Sequence, residues 1–120
     1  MYEYLATVNN VVDGDTLDVA IDLGFSITQR QRVRLYGINT PELHSKDVME
    51  RRAALSAKSF LEEQVNGKQV KLKSVKPKDK YGRYLAEVWP AEGLAAESVN
   101  EMMIRVGLAK HWDGQGEKPV

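Results

Sequence analysis

The sequence predicts an α+β fold, mainly β, in which five strands close into a small barrel flanked by two helices. Three observations carry that prediction. Apolar and polar residues alternate on both sides of Asp13-Gly14, an apolar stripe with helical spacing runs from Met49 to Val65, and the elements follow one another as three strands, helix, two strands, helix.

Residues 4–12 read as the first strand. After Asp13-Gly14, Leu17, Val19, Ile21 and Leu23 alternate with polar or small residues, and such alternation around an Asp-Gly pair is a strong hairpin signal. Arg32 to Ile38 reads as the third strand, with Val33 and Leu35 on one face, Arg32 and Arg34 on the other, and Pro41 as its stop. Ala54, Ala57, Leu61 and Val65 share one face of a helix from about Met49 to Val65, which Asn66-Gly67 ends. Val70 and Leu72 alternate with Lys71 and Lys73 in a fourth strand. A basic turn, Lys76-Pro77-Lys78-Asp79-Lys80, leads to a fifth at Tyr84 to Trp89. Ser98 caps a second helix, with Glu101 in the capping-box position and Gly107 at its end. Short strands in this order, with a helix between the third and fourth, match a five-stranded OB-fold barrel.

With 120 residues, 42% hydrophobic and 28% charged, the chain has the makeup of one globular domain over residues 1–120, with 111–120 as a short tail. No internal repeat or linker divides it. It contains no cysteine, which excludes a disulfide framework and a thiolate zinc site, and its two histidines, His44 and His111, are too few for a His-rich metal centre. No apolar run approaches the roughly 18 residues of a membrane-spanning helix, so no membrane partner is expected, and a monomer is expected. Met1-Tyr-Glu-Tyr lacks the basic and apolar stretches of an export signal, which predicts a cytoplasmic location while leaving secretion of a processed form open.

The formal net charge is zero, but charge is segregated. Residues 1–22 carry five acids and no base, whereas residues 68–83 carry seven bases and one acid, Asp79. This segregation fits either an acidic, cation-binding patch beside a basic, anion-binding one, or lysines that guard a solvated strand edge.

Four short motifs carry the candidate chemistry. Asp13-Gly14-Asp15-Thr16 reads as a type I′ hairpin turn or as two crowded carboxylates that offer hard oxygen ligands to Ca²⁺. In Asn39-Thr40-Pro41-Glu42, either Pro41 simply ends a strand, or the Asn39 side chain and the Thr40 carbonyl complete an oxygen site. In the second case Glu42 is left to position or deprotonate water. Arg34 reads as a solvated strand residue or as half of a phosphate clamp, whose other half is Arg83 in Asp79-Lys80-Tyr81-Gly82-Arg83.

The order of these motifs is more specific than any one of them. Val12-Asp13-Gly14-Asp15-Thr16, Arg34-Leu35-Tyr36-Gly37-Ile38-Asn39-Thr40-Pro41-Glu42, Asp79-Lys80-Tyr81-Gly82-Arg83 and Val99-Asn100 through Gly107-Leu108-Ala109 follow one another along the chain. Together they closely resemble the staphylococcal nuclease (thermonuclease) family, over roughly Tyr4 to Lys110. The resemblance implies an OB barrel and an endonuclease that hydrolyses DNA and RNA with Ca²⁺. In that reaction water attacks phosphorus, the 5′ oxygen leaves, and a 3′-phosphate remains. It also implies roles: Asp15 as the main carboxylate ligand of the metal, Thr40 as a carbonyl ligand, and Glu42 as general base or water-orienting group. Arg34 and Arg83 neutralise transition-state charge, Asp13 supports the turn, and Lys80 and Tyr81 touch a neighbouring phosphate.

Three departures from the family pattern accompany the resemblance. Asn39 stands where the family has a second metal carboxylate. The chain is neutral where familiar members are strongly basic. After Lys110 it lacks the stacking tyrosines and the third helix, so base stacking either falls to another residue such as Trp112 or is absent, and Trp112 is as well suited to plug the barrel. The alternative function is a non-catalytic OB-fold module that binds nucleic acid or protein. Asp15, Arg34, Glu42 and Arg83, all present together, favour the enzyme.

Overall fold

The computed structural model describes residues 2–76, 83–91 and 97–112. Its elements are β1 (Glu3–Asp13), β2 (Thr16–Asp22), β3 (Thr28–Leu35), β4 (Ile38–Asn39), α1 (Val48–Val65), β5 (Gln69–Lys76), β6 (Tyr84–Pro90), α2 (Val99–Arg105) and β7 (Lys110–His111). Five strands close a barrel in the order β1-β2-β3-β6-β5, consistent with the OB-fold, and β4 pairs with β7 in a separate two-stranded sheet.

The long strand β1 makes closure feasible because it serves two neighbours. Its first half pairs with β5 (Glu3↔Lys73 to Thr7↔Gln69), and the stretch from Ala6 to Asp13 pairs with β2. Register shifts between Val8 and Asn10 and between Val11 and Asp13 bend it between these duties. The barrel shuts where β3 and β6 run parallel, from Val33↔Tyr84 to Leu35↔Ala86. Past Ala86 this edge of β6 has no strand partner in β3, and buried Asn100 of α2 takes over. Val88 N–H donates to its Oδ1 at 2.9 Å, while its Nδ2 donates to the carbonyls of Tyr36 (2.9 Å) and Ala86 (3.1 Å). One side chain thus ties α2, β6 and the end of β3 together.

Helix α1 begins at Asp47, whose carboxylate accepts Met49 N–H at 2.9 Å, and buries Ala54, Ala57, Leu61 and Val65 against the barrel. Gly67, at φ +73°, turns the chain out of the helix, and its N–H donates to Val8 O. In α2 the Ser98 hydroxyl accepts Glu101 N–H at 3.1 Å, as the capping pattern predicts. Gly107, at φ +82°, follows its end.

Several boundaries differ from the sequence reading. β3 starts at Thr28 rather than Arg32, since Thr28–Gln31 is polar on both faces and its strand state is set by pairing with β2. The expected single strand from Arg32 to Ile38 is broken after Leu35, where Gly37 adopts φ +83°, and Ile38–Asn39 resumes as β4. His111, expected in a tail, pairs with Ile38. The basic turn from Pro77 to Lys80 and residues 113–120 lie outside the described residues.

Candidate active site

Asp13-Gly14-Asp15-Thr16 forms the β1–β2 hairpin, but not as a type I′ turn, which needs φ > 0 at both central residues; neither Gly14 nor Asp15 has positive φ. Glycine is required there for space. A Cβ on Gly14 would lie 2.8 Å from Ala57 Cβ and 2.9 Å from Thr40 Oγ1. The bare backbone lets α1 and the segment after β4 close onto the hairpin, and this brings Thr40 to Asp15.

Asp15 is 7% exposed, and its carboxylate accepts three hydrogen bonds. Thr16 Oγ1 donates to Oδ1 at 3.1 Å, and Thr40 N–H (3.2 Å) and Arg34 Nη2 (3.3 Å) both donate to Oδ2. The same Arg34 nitrogen donates to Asn39 Oδ1 at 3.2 Å. Two oxygens, from Asp15 and Asn39, therefore converge on one cationic nitrogen. Arg34 itself is 5% exposed, which overturns its placement on the solvated face of β3. Residues 33–35 are all buried, so the end of β3 is covered on both faces. The ring of Trp112 lies 5.0 Å from the Arg34 guanidinium, a cation–π distance, and the main-chain N–H of Trp112 donates to Gly37 O at 2.9 Å.

These groups line a polar pocket of about 80 Å³ formed by Asp13, Asp15, Arg34, Asn39, Thr40, Glu42 and Arg83. All six residues named from the catalytic and metal motifs thus meet in one place, together with Asp13. Lys80 and Tyr81, the expected phosphate contacts, lie outside the described residues. Asp13 Oδ1 accepts Asp15 N–H at 3.1 Å. Burial, and after it the hydrogen bond and charge of Asp15, push the Asp13 carboxyl up from 3.8 to about 6.

The pocket holds only oxygen donors and arginines. Among the described residues no three His, Cys, Asp or Glu side chains cluster to hold a metal by themselves. A cation here would therefore rest on Asp15 together with amide and main-chain oxygens, a donor set that suits a hard ion such as Ca²⁺ and not zinc.

The segregated charges are not all at this site. Lys73 and Lys71 sit opposite Glu3 and Leu5, at the end of β1 away from Asp13; Lys71 Nζ lies 4.0 Å from Glu3 Oε1 and 5.8 Å from the Trp89 ring. These two lysines dress a strand surface, whereas Arg83 reaches the pocket. The sequence reading missed the spacing role of Gly14 and the contact of Trp112 with Arg34. It also missed Glu50, whose carboxylate accepts Glu42 N–H at 3.1 Å, although Asp47-Val48-Met49-Glu50 is a capping pattern that would have marked it.

Comparison with known proteins bears on this geometry. Residues 32–119 match the family described as staphylococcal nuclease homologue. The chain is 36% identical over 104 residues to a thermonuclease of Staphylococcus intermedius, which covers 86% of the chain and 56% of the relative. It is 34% identical over 104 residues to a thermonuclease of Staphylococcus hyicus, with the same coverages of 86% and 56%. It is also 33% identical over 112 residues to the protein ParB of Escherichia coli, covering 89% of the chain and 56% of that protein. The chain thus spans a little over half the length of these curated relatives.

Proposed function

This chain belongs to the staphylococcal nuclease homologue family, and from that premise we propose that it is a nuclease that hydrolyses phosphodiester bonds of DNA or RNA with Ca²⁺. The observation that carries the reading is the pocket itself, where Arg34, Arg83, Asp15 and Glu42 line one small polar cavity. A binding module has no need of two arginines and these carboxylates around one small polar pocket.

In this reading Arg34 and Arg83 bind the scissile phosphate and donate to its non-bridging oxygens as negative charge builds on them. Each such donor contributes roughly 10²–10³ in turnover when it is aimed at developing charge. Glu42 orients a water against phosphorus and takes its proton, the 5′ oxygen leaves, and a 3′-phosphate remains. Asp15, the Asn39 amide oxygen and the Thr40 carbonyl would hold the ion, and its contribution is Lewis acidity toward a phosphoryl oxygen. Arg34 then has two uses. With no substrate it neutralises Asp15, and with a phosphate bound it would donate to that instead, so that the Asp15 and Asn39 oxygens would be available to hold the ion. Lys80 and Tyr81 are proposed to touch an adjoining phosphate, a reading supported by the resemblance of Asp79-Lys80-Tyr81-Gly82-Arg83 to the family motif.

The test is digestion of plasmid, single-stranded DNA and RNA with Ca²⁺ or with chelator. Cleavage that requires Ca²⁺ is expected. If none of the three substrates is cut in a Ca²⁺-dependent way, the chain is instead a binding module, in which the buried Arg34–Asp15 pair is structural.

A further inference from the structure

The geometry points to Glu50 as a positioning residue for Glu42, an inference that rests on the proposed role of Glu42 in handling water. Glu50 stands in the first turn of α1, three residues after the N-cap Asp47. A glutamate at that place ordinarily reaches back to the N–H of the cap residue and closes a capping box. Here the Asp47 N–H is taken by Ser45 Oγ at 3.1 Å, and the Glu50 carboxylate is aimed elsewhere. Its Oε2 accepts the main-chain N–H of Glu42 at 3.1 Å, and its Oε1 accepts Ser45 Oγ–H at 2.8 Å.

One carboxylate therefore bridges both ends of the turn that carries Glu42. The turn is closed further by Ser45 N–H, which donates to Glu42 O at 3.3 Å, and by Arg51 Nη1, which donates to Ser45 O at 2.8 Å. Two successive residues of α1 thus grip this turn, and α1 is anchored in the core through Ala54, Ala57 and Leu61. This matters because Glu42 is exposed, on a turn whose own side chains contribute nothing to the buried core. Without the bridge Glu42 loses the tie of its main-chain N–H to α1. Its carboxylate would then sample positions away from the attacking water, and a displacement of about 1 Å at a reacting group costs up to roughly a hundredfold in rate.

The bridge needs an acceptor for Glu42 N–H and a polar partner for the Ser45 hydroxyl. A glutamine could still supply both, its amide oxygen to Glu42 N–H and its NH₂ to Ser45 Oγ, whereas Glu50→Leu keeps much of the side-chain bulk and supplies neither. Four proteins are compared: the parent, Glu42→Gln, Glu50→Leu and the double variant. Two readouts are used, steady-state cleavage of single-stranded DNA in saturating Ca²⁺ and amide hydrogen exchange at residue 42. Glu50→Leu is expected to lower kcat about tenfold with KM little changed, and to speed exchange at the Glu42 amide but not at Leu61. In the Glu42→Gln background it should lower kcat no further, because no base is left to position.

A purely structural role would lower kcat by the same factor in both backgrounds, or speed exchange throughout the barrel, and either result would overturn the inference. An unchanged kcat in Glu50→Leu, beside a large loss in Glu42→Gln, would overturn the positioning role and leave the reading of Glu42 standing. An unchanged kcat in Glu42→Gln would remove the role of Glu42 and the inference with it.

Discussion

Asn39 Oδ1 accepts a hydrogen bond from Arg34 Nη2 at 3.2 Å, which turns the amide of residue 39 into the polar pocket beside Asp15. A carboxylate there would face the same way. At an effective dielectric near 20, a full charge about 4 Å from a cation is worth roughly 4 kcal/mol before desolvation and repulsion by Asp15 are subtracted. Asn39→Asp should therefore tighten Ca²⁺ binding by about tenfold, or ~1.4 kcal/mol, and lower the Ca²⁺ needed for half-maximal cleavage. Arg34 moderates the gain, since it too would pair more strongly with the new charge. Calorimetric titration of both proteins, with and without a nucleotide, measures it. Equal or weaker binding by the Asp variant would mean that a cation does not sit beside residue 39.

Arg34 and Arg83 should separate in their effect on folding. Alanine at either position is expected to cut turnover by roughly 10²–10³. Arg34→Ala also leaves the Asp15 carboxylate buried without its counter-charge, and such a loss costs about 3–5 kcal/mol. Arg83 is half-buried, and its removal should cost far less. Urea unfolding beside single-turnover kinetics checks both. Equal stability losses would contradict the buried-pair argument, and wild-type turnover in both variants would end the phosphate-clamp assignment.

Gly14→Ala tests the close approach that assembles the pocket. The new methyl would meet Ala57 Cβ at 2.8 Å and Thr40 Oγ1 at 2.9 Å, so α1 or the segment at Thr40 has to shift. Overpacking of this kind costs about 1–3 kcal/mol. Because Thr40 N–H is one of the donors to Asp15, activity should fall along with stability. A variant neutral in both thermal unfolding and cleavage would show that the hairpin and helix have slack.

Acid titration should reveal the Asp18–Arg32 pair, which lies on the surface with Arg32 Nε 2.8 Å from Asp18 Oδ1. The hydrogen bond from Arg32 holds the Asp18 carboxyl below its ordinary 3.8. With the folded value depressed, the pair stabilises the fold above pH 3.8, and that contribution is lost as pH falls through the lower folded value. Asp18→Asn should cost less than about 1 kcal/mol at neutral pH, owing to solvent screening. The difference between the two proteins should shrink below pH 3.8 and in high salt. A gap that widens on acidification would reverse the assignment.

Much of the architecture was legible because the elements that build the core repeat at short range. Ala54, Ala57, Leu61 and Val65 mark the helix, and Leu17, Val19 and Ile21 mark the strand, without reference to anything distant in the chain. Thr28–Gln31 gave no such sign, since its strand state comes from its partner and not from its own pattern. The burial of Arg34 was equally hidden: alternation assigns it to the outer face, and the covering residue, Trp112, is remote in sequence. The pocket's membership was readable from three of the four ordered motifs. The spacing duty of Gly14 and the bridge from Glu50 depend on how a helix docks on a hairpin, which no local pattern encodes.

The pairing of Ile38–Asn39 with Lys110–His111 has a consequence for the order in which the protein is made. A ribosome that has released the chain as far as Arg105 has supplied every strand of the barrel and both helices. It has not yet supplied the strand that flanks Asn39 or the ring that covers Arg34. Every residue that lines the pocket is thus made before its cover, and the last few residues of the described chain add the strand beside Asn39 and the ring over Arg34.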